Sequence, residues 1–131
     1  MTNKKLQERA LYWIDKFKLG PPVWSITVSF GKEEELDGSL GLCSWNIDYA
    51  TAEIKIASEK EHTNSGTTID ETIVHELGHL RFEGHKDCTS ERDPHIERAL
   101  NILAEIIVSY EQNTKPTGRR KNKTLKVESQ N

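Results

Sequence analysis

The sequence lacks any apolar run long enough to cross a bilayer, and it has only two cysteines in 131 residues. A membrane-spanning helix needs about 20 consecutive apolar residues, so we expect no contact with the interior of a membrane. The first residues, MTNKKLQERALYW, contain no apolar segment of the kind that directs secretion. Cys43 and Cys88 are too few for a disulfide framework, so reduced thiols and a cytoplasmic location are the expectation.

Charge is unevenly distributed along the chain. Residues 1–112 contain 12 Lys and Arg against 20 Asp and Glu, a net charge of −8, whereas residues 113–131 contain 6 against 1, a net charge of +5. The length suits one modest core, so we predict a single acidic domain over residues 1–112. The remainder has almost no apolar residues and is predicted to be a disordered basic tail. Such a tail could bind nucleic acid, but charge runs are usually solvated, so nucleic acid is not the favoured partner.

Hydrophobic periodicity predicts an α+β domain in the order helix, three strands, two helices. The first helix covers about residues 3–18 and stops at Gly20–Pro22. The strands are predicted in WSITVSF (24–30), LGLCSWNIDY (40–49) and AEIKIAS (52–58), and the last two are expected to form a hairpin. The segments between these elements, GKEEELDG (31–38) and EKEHTNSGT (59–67), are predicted to be an acidic turn and a polar loop.

Two further helices have clear start signals. Thr68 and Glu71 have the T-x-x-E spacing of a capping box, which predicts a helix over Ile69–Glu83. Asp93 followed by Pro94 predicts the start of the last helix, which should run to about Glu111. This last helix is apolar on two sides, so we expect it to be sandwiched between neighbours with only a narrow polar wedge.

The helix over residues 69–83 contains the segment HELGH, in which His75 and His79 are four residues apart and Glu76 follows the first histidine. At about 100° per residue the two histidines lie beside the apolar stripe and not within it. Residues at this spacing can turn both imidazoles toward one zinc ion, and Glu76 could take a proton from a water bound there. The motif H-E-x-x-H is short and also occurs by chance, so a solvated polar face is the alternative interpretation.

At HELGH the sequence resembles the zincin metallopeptidases, in which such a helix packs beneath a small mixed sheet. The resemblance implies a minimal zincin-like α+β domain and a Zn²⁺-dependent peptidase that acts on a peptide or protein substrate. It also implies that His75 and His79 bind the metal and that Glu76 is the general base. The strand over Gly41–Tyr49 is expected to hold an extended substrate by strand addition.

The sequence offers His85, His95 and Glu97 as a third ligand. His85 stands where the metzincin pattern has its third histidine, but Phe82 replaces the glycine of that pattern. Metzincins also need a methionine turn, and the only methionine here is Met1. Glu97 lies at the border of an apolar stripe on the last helix, where a carboxylate is costly unless a cation compensates its charge. Glu97 is therefore favoured, with His85 as the alternative ligand.

An H-E-x-x-H motif followed by a glutamate on a later helix resembles the gluzincins, and the short chain is most similar to the minigluzincins. That resemblance implies that Asn101, four residues after Glu97, orients the first histidine, although gluzincins normally have an aspartate there. The segment ERALNILAEII is also similar to the third-ligand helix of the ImmA/IrrE peptidases. The rival function is a regulatory zinc protein that acts on one specific partner, such as an anti-repressor or a DNA-associated SprT-like protease.

Overall fold

A computed structural model of the chain describes residues 1–89 and 91–114. It has the α+β architecture that the sequence predicts, with helices packed against a small mixed sheet. The predicted disordered tail lies largely outside the described residues. The elements, in chain order, are α1 (Asn3–Lys16), β1 (Ser25–Phe30), α2 (Glu33–Leu36), β2 (Gly41–Asn46), β3 (Thr51–Ile56), α3 (Glu59–Ser65), α4 (Ile69–Glu83) and α5 (Pro94–Thr114).

The sheet has the strand order β1-β3-β2, so β3 is its central strand. β1 pairs with β3 in parallel, with Val28 opposite Ile54, and β2 pairs with β3 antiparallel, with Cys43 opposite Ile54. The antiparallel pair confirms the predicted hairpin. Alternate residues of β2 and β3 are buried, because one face of each strand is turned toward the core and the other toward solvent.

Helix α4 is the most buried element, and it packs against α1, α5 and the strands β2 and β3. Ten of its 15 residues are buried. Its bounds agree with the prediction, and its capping box is present: the Thr68 hydroxyl accepts from the Glu71 N–H at 3.1 Å, and the Glu71 carboxylate accepts from the Thr68 N–H at 3.1 Å. The predicted start of α5 is also confirmed, because the Asp93 carboxylate accepts from the His95 N–H at 2.9 Å.

Two segments that were predicted to be irregular are short helices. In the predicted acidic turn, α2 forms because Leu36 is buried as an anchor and Glu35 accepts a hydrogen bond from the Lys32 N–H. In the predicted polar loop, α3 forms because the Ser58 hydroxyl caps its first turn and His62 is buried, only 3% exposed. Both errors have one physical reason, which is that a single buried side chain fixes a mostly polar segment.

Other predicted boundaries were also wrong. β2 ends at Asn46, whose side chain accepts from the Tyr49 N–H in a tight turn, so Ile47 and Tyr49 are exposed instead of continuing the buried face. Helix α1 ends at Lys16, two residues early. Helix α5 continues to Thr114, past the expected end.

The prediction that α5 is sandwiched was wrong. Within residues 1–89 and 91–114, only one of its apolar sides is covered, through Leu100, Ala104 and Val108, while the other side is exposed. Among the described residues, no helix is long and apolar enough to cross a membrane.

A bidentate ion pair joins α1 to the first turn of α4. Arg9 donates from Nε to Asp70 Oδ1 at 3.0 Å and from a terminal nitrogen to Oδ2 at 2.8 Å, and Asp70 is buried although Arg9 is half exposed.

We expect Asp70→Asn to lower the free energy of unfolding by about 1 kcal/mol, because it weakens this pair and removes a negative charge from a helix N-terminus. The measurement is the urea midpoint. The matched control is Asp15→Asn on the exposed face of α1, and equal midpoints for both variants would contradict the expectation.

Candidate metal centre

Helices α4 and α5 bring three possible metal ligands together. Nitrogen atoms of His75 and His79 and a carboxylate oxygen of Glu97 lie within 4.8 Å of one another. His75 Nε2 is 3.1 Å from Glu97 Oε1, and His79 Nε2 is 2.6 Å from Glu97 Oε2. The capping box of α4 and the Asp93 cap of α5 fix where each helix begins, and thereby the turns from which these side chains project.

A second carboxylate determines which nitrogen of His79 faces Glu97. Glu83, one turn further along α4, has Oε1 at 2.6 Å from His79 Nδ1. An ionised carboxylate can only accept a hydrogen bond, so Nδ1 carries the proton. In the neutral imidazole the lone pair of Nε2 therefore points toward Glu97, which is the state that a metal ligand requires.

The contact between His79 and Glu97 fits a bound cation. Glu97 Oε2 is buried and receives no hydrogen bond from any described residue, although His79 Nε2 is only 2.6 Å away. A buried carboxylate oxygen without a partner is unfavourable, and a cation placed among the three ligand atoms would satisfy it. Two imidazoles and one carboxylate are a donor set that catalytic zinc sites use.

His75 is held in an environment that favours its neutral form. Burial lowers the pKa of the His75 imidazole, and this effect outweighs the opposing attraction of the Glu97 carboxylate. The side chain of Asn101 also opposes this lowering of the pKa, to a smaller extent than Glu97. Asn101 lines the same cleft as His75, and its orienting role stays a prediction.

Glu76 points into the same cleft and is only 5% exposed. Burial raises the pKa of its carboxyl group to about 8; the Arg92 guanidinium opposes this shift, and the Glu97 carboxylate adds to it. The first residue of β2 packs directly on it, since a Cβ atom placed on Gly41 would lie 2.9 Å from Glu76 Oε2. A larger residue at position 41 would displace the carboxylate.

The cleft has a volume of about 580 Å³ and lies between the edge strand β2 and helices α4 and α5. Its wall includes the three possible ligands, Glu76, Asn101 and residues from the start of β2. Arg92, in the loop before α5, is the only lysine or arginine among the described lining residues. Because the start of β2 forms part of the wall, an extended chain that lies along this strand could reach the possible metal site.

The other two candidates for a third ligand do not join the site. His85 lies in the turn after α4 and is exposed, and His95 is exposed in the first turn of α5. Within the described part of the chain, neither histidine belongs to the group of ligands that could hold a metal.

Three residues near the site were missed from the sequence. Glu83 is four residues after His79, so the helical spacing that paired the histidines could also have identified it. His62 joins α3 to α4 through Thr72, with His62 Nε2 at 2.8 Å from the Thr72 hydroxyl, and nothing in its polar surroundings indicated burial. Arg92 reaches the cleft from a loop that has no sequence signature.

Comparison with protein-family models, with curated proteins and with solved structures found no match for this chain.

The position of Glu97 predicts how metal binding responds to substitution. We expect Glu97→Ala to lose most of its metal on dialysis, whereas His85→Ala should retain it as the unmutated chain does, because His85 does not belong to the ligand group. Metal content per chain after dialysis, measured by atomic emission, checks this. Equal retention in Glu97→Ala and the unmutated chain would contradict the assignment of Glu97.

The hydrogen bond from His79 to Glu83 predicts a smaller effect. Glu83→Ala should weaken zinc affinity about 10- to 100-fold without removing a ligand, since the loss of a group that orients a metal-binding histidine typically has this size. Affinity is measured by competition with a zinc-binding dye. The matched control is Glu91→Ala, an exposed position in the following loop, and an affinity for Glu83→Ala equal to that control would refute the orienting role.

Proposed function

We propose that this protein is a zinc-dependent peptidase of the gluzincin type, most similar to the minigluzincins. The observation that carries the proposal is the convergence of His75, His79 and Glu97 around a buried, unsatisfied carboxylate oxygen, with the Glu76 carboxyl group in the same cleft. An H-E-x-x-H helix followed by a glutamate on the next helix is the arrangement that the family resemblance implies.

His75, His79 and Glu97 would hold the ion, and Glu83 would keep Nε2 of His79 available to it. When bound, zinc would lower the pKa of a water molecule to about 7 and polarise a substrate carbonyl. Glu76 carries the proton: its carboxylate accepts it from the attacking water and delivers it to the nitrogen of the leaving amine. The desolvated environment of Glu76 supports this role, because it makes the carboxylate a stronger base than one in water.

The substrate would lie along β2. Among the described strands, β2 pairs only with β3, and its outer edge borders the cleft through Gly41 and Leu42. An extended peptide could add to this edge through main-chain hydrogen bonds, which bind without regard to sequence. Its scissile bond would then pass over the possible metal site.

A regulatory zinc protein that acts on one partner is the second candidate, and the +5 charge of residues 113–131 is the observation that favours it. Such a segment could bind the phosphates of nucleic acid. Hydrolysis of an unstructured casein-like substrate distinguishes the two functions. A general peptidase should cleave it in a manner that a chelator abolishes, whereas a partner-specific protein should leave it intact.

The role of Glu76 gives the sharpest test. We expect Glu76→Gln to bind zinc as the unmutated chain does but to hydrolyse the casein-like substrate at least about 100-fold more slowly, because a general base typically contributes about 10²- to 10⁴-fold. Glu8→Gln on the exposed face of α1 is the control. Near-normal cleavage by Glu76→Gln with full metal content would refute the mechanism.

A further inference from the structure

Helix α5 has a second apolar face, opposite the one that packs on α4. At about 100° per residue, the centre of this face is roughly 145° from the centre of the buried face formed by Leu100, Ala104 and Val108. Its large side chains are well exposed: Ile102 (50%), Leu103 (41%), Ile106 (57%) and Tyr110 (69%). Single exposed apolar residues are normal, but a continuous stripe of them marks an interaction surface.

The spacing along this face suits another helix. Ala99, Leu103, Ile106 and Tyr110 follow one another at intervals of four, three and four residues. Alternation of three and four is the spacing with which one helix packs along a second helix. The stripe extends over three turns of α5, so it offers a seam and not a single anchor point.

Two opposite charges border the stripe on the same flank. Arg98 and Glu105 are exposed, seven residues apart, and within the described chain neither forms an ion pair. The residues one turn away, Ile102, Asn101 and Ser109 among them, carry no compensating charge. In an antiparallel helix pair like flanks meet, so Arg98 of one helix would face Glu105 of the other. In a parallel pair, this flank would meet the opposite flank, which carries Leu103 and Ile107.

We propose that α5 pairs antiparallel with α5 of a second copy of this chain. A twofold axis near Ile102 and Leu103 places Ala99 of each copy against Ile106 of the other, with an Arg98–Glu105 ion pair at each end. Self-complementarity of this kind is what a twofold symmetric interface requires. The proposal does not rest on the proposed peptidase activity, although Ile102 and Glu105 also line the cleft, so the second copy would border it.

Sedimentation equilibrium of the full chain, from low to high micromolar concentration, tests the pairing. We expect a concentration-dependent dimer, and we expect Ile106→Lys to weaken it at least about tenfold, because a charge would replace a central apolar contact. Ile106 is outside the core, so the thermal midpoint of the variant should match that of the unmutated chain at a concentration low enough for both to be monomeric. A chain that is monomeric throughout this range overturns the proposal and assigns the face to residues 115–131 or to a different protein.

Charge reversal tests the antiparallel orientation. Arg98→Glu and Glu105→Arg should each weaken the dimer by about tenfold, because each places like charges together at both ends. The double variant should recover dimerisation, and so should an equimolar mixture of the two single variants, since the mixture restores opposite charges at both contacts. The antiparallel arrangement would be overturned if the single variants weaken the dimer and neither the double variant nor the mixture restores it. A dimer that survives Ile106→Lys would overturn it as well.

Discussion

Burial of α4 is the constraint on which the rest of the structure depends. This helix carries ionisable groups into the interior: His79 is 2% exposed and Glu76 is 5% exposed. Buried polar groups are unfavourable unless they have partners, and α4 itself and its neighbours supply them. Glu83 accepts a hydrogen bond from Nδ1 of His79, Glu97 from α5 lies next to Nε2 of the same ring, and Arg92 partly offsets the charge of Glu76. Oε2 of Glu97, which lies where the three possible ligands meet, has no hydrogen-bond partner among the described residues.

The close approach of α4 and α5 allows His75, His79 and Glu97 to lie near one another. Gly78 lies on α4 where α5 crosses it, and a Cβ atom placed there would be 2.6 Å from a methyl group of Leu100. Because Gly78 has no side chain, Leu100 can sit against the backbone of α4, and Glu97, one turn earlier on α5, can then reach both histidines. The glycine in HELGH thus has a packing reason that is separate from any catalytic chemistry.

Local signals in the sequence predicted the parts of the fold that depend on local interactions. The Thr68 capping box and the Asp93 cap act within one turn, so the boundaries they predict are correct. The burial of His62 depends on Thr72 of another helix, so no local pattern indicated α3. The exposed face of α5 was missed for a similar reason, because periodicity shows which residues are apolar but not whether a neighbour covers them. Glu83 is different, since its spacing from His79 was visible in the sequence.

The sides of helix α5 face three different environments. One side packs on α4 and carries Glu97, the next side borders the cleft through Asn101 and Glu105, and the opposite side is exposed in the part of the chain that the structure describes. Glu97 and the exposed side belong to the same helix, so a contact on that side would act on the position of Glu97. In the proposed dimer, a second α5 would resist any displacement of the first away from α4. Association would then hold Glu97 close to His75 and His79, so the surface contact and the metal site would be coupled through a single helix.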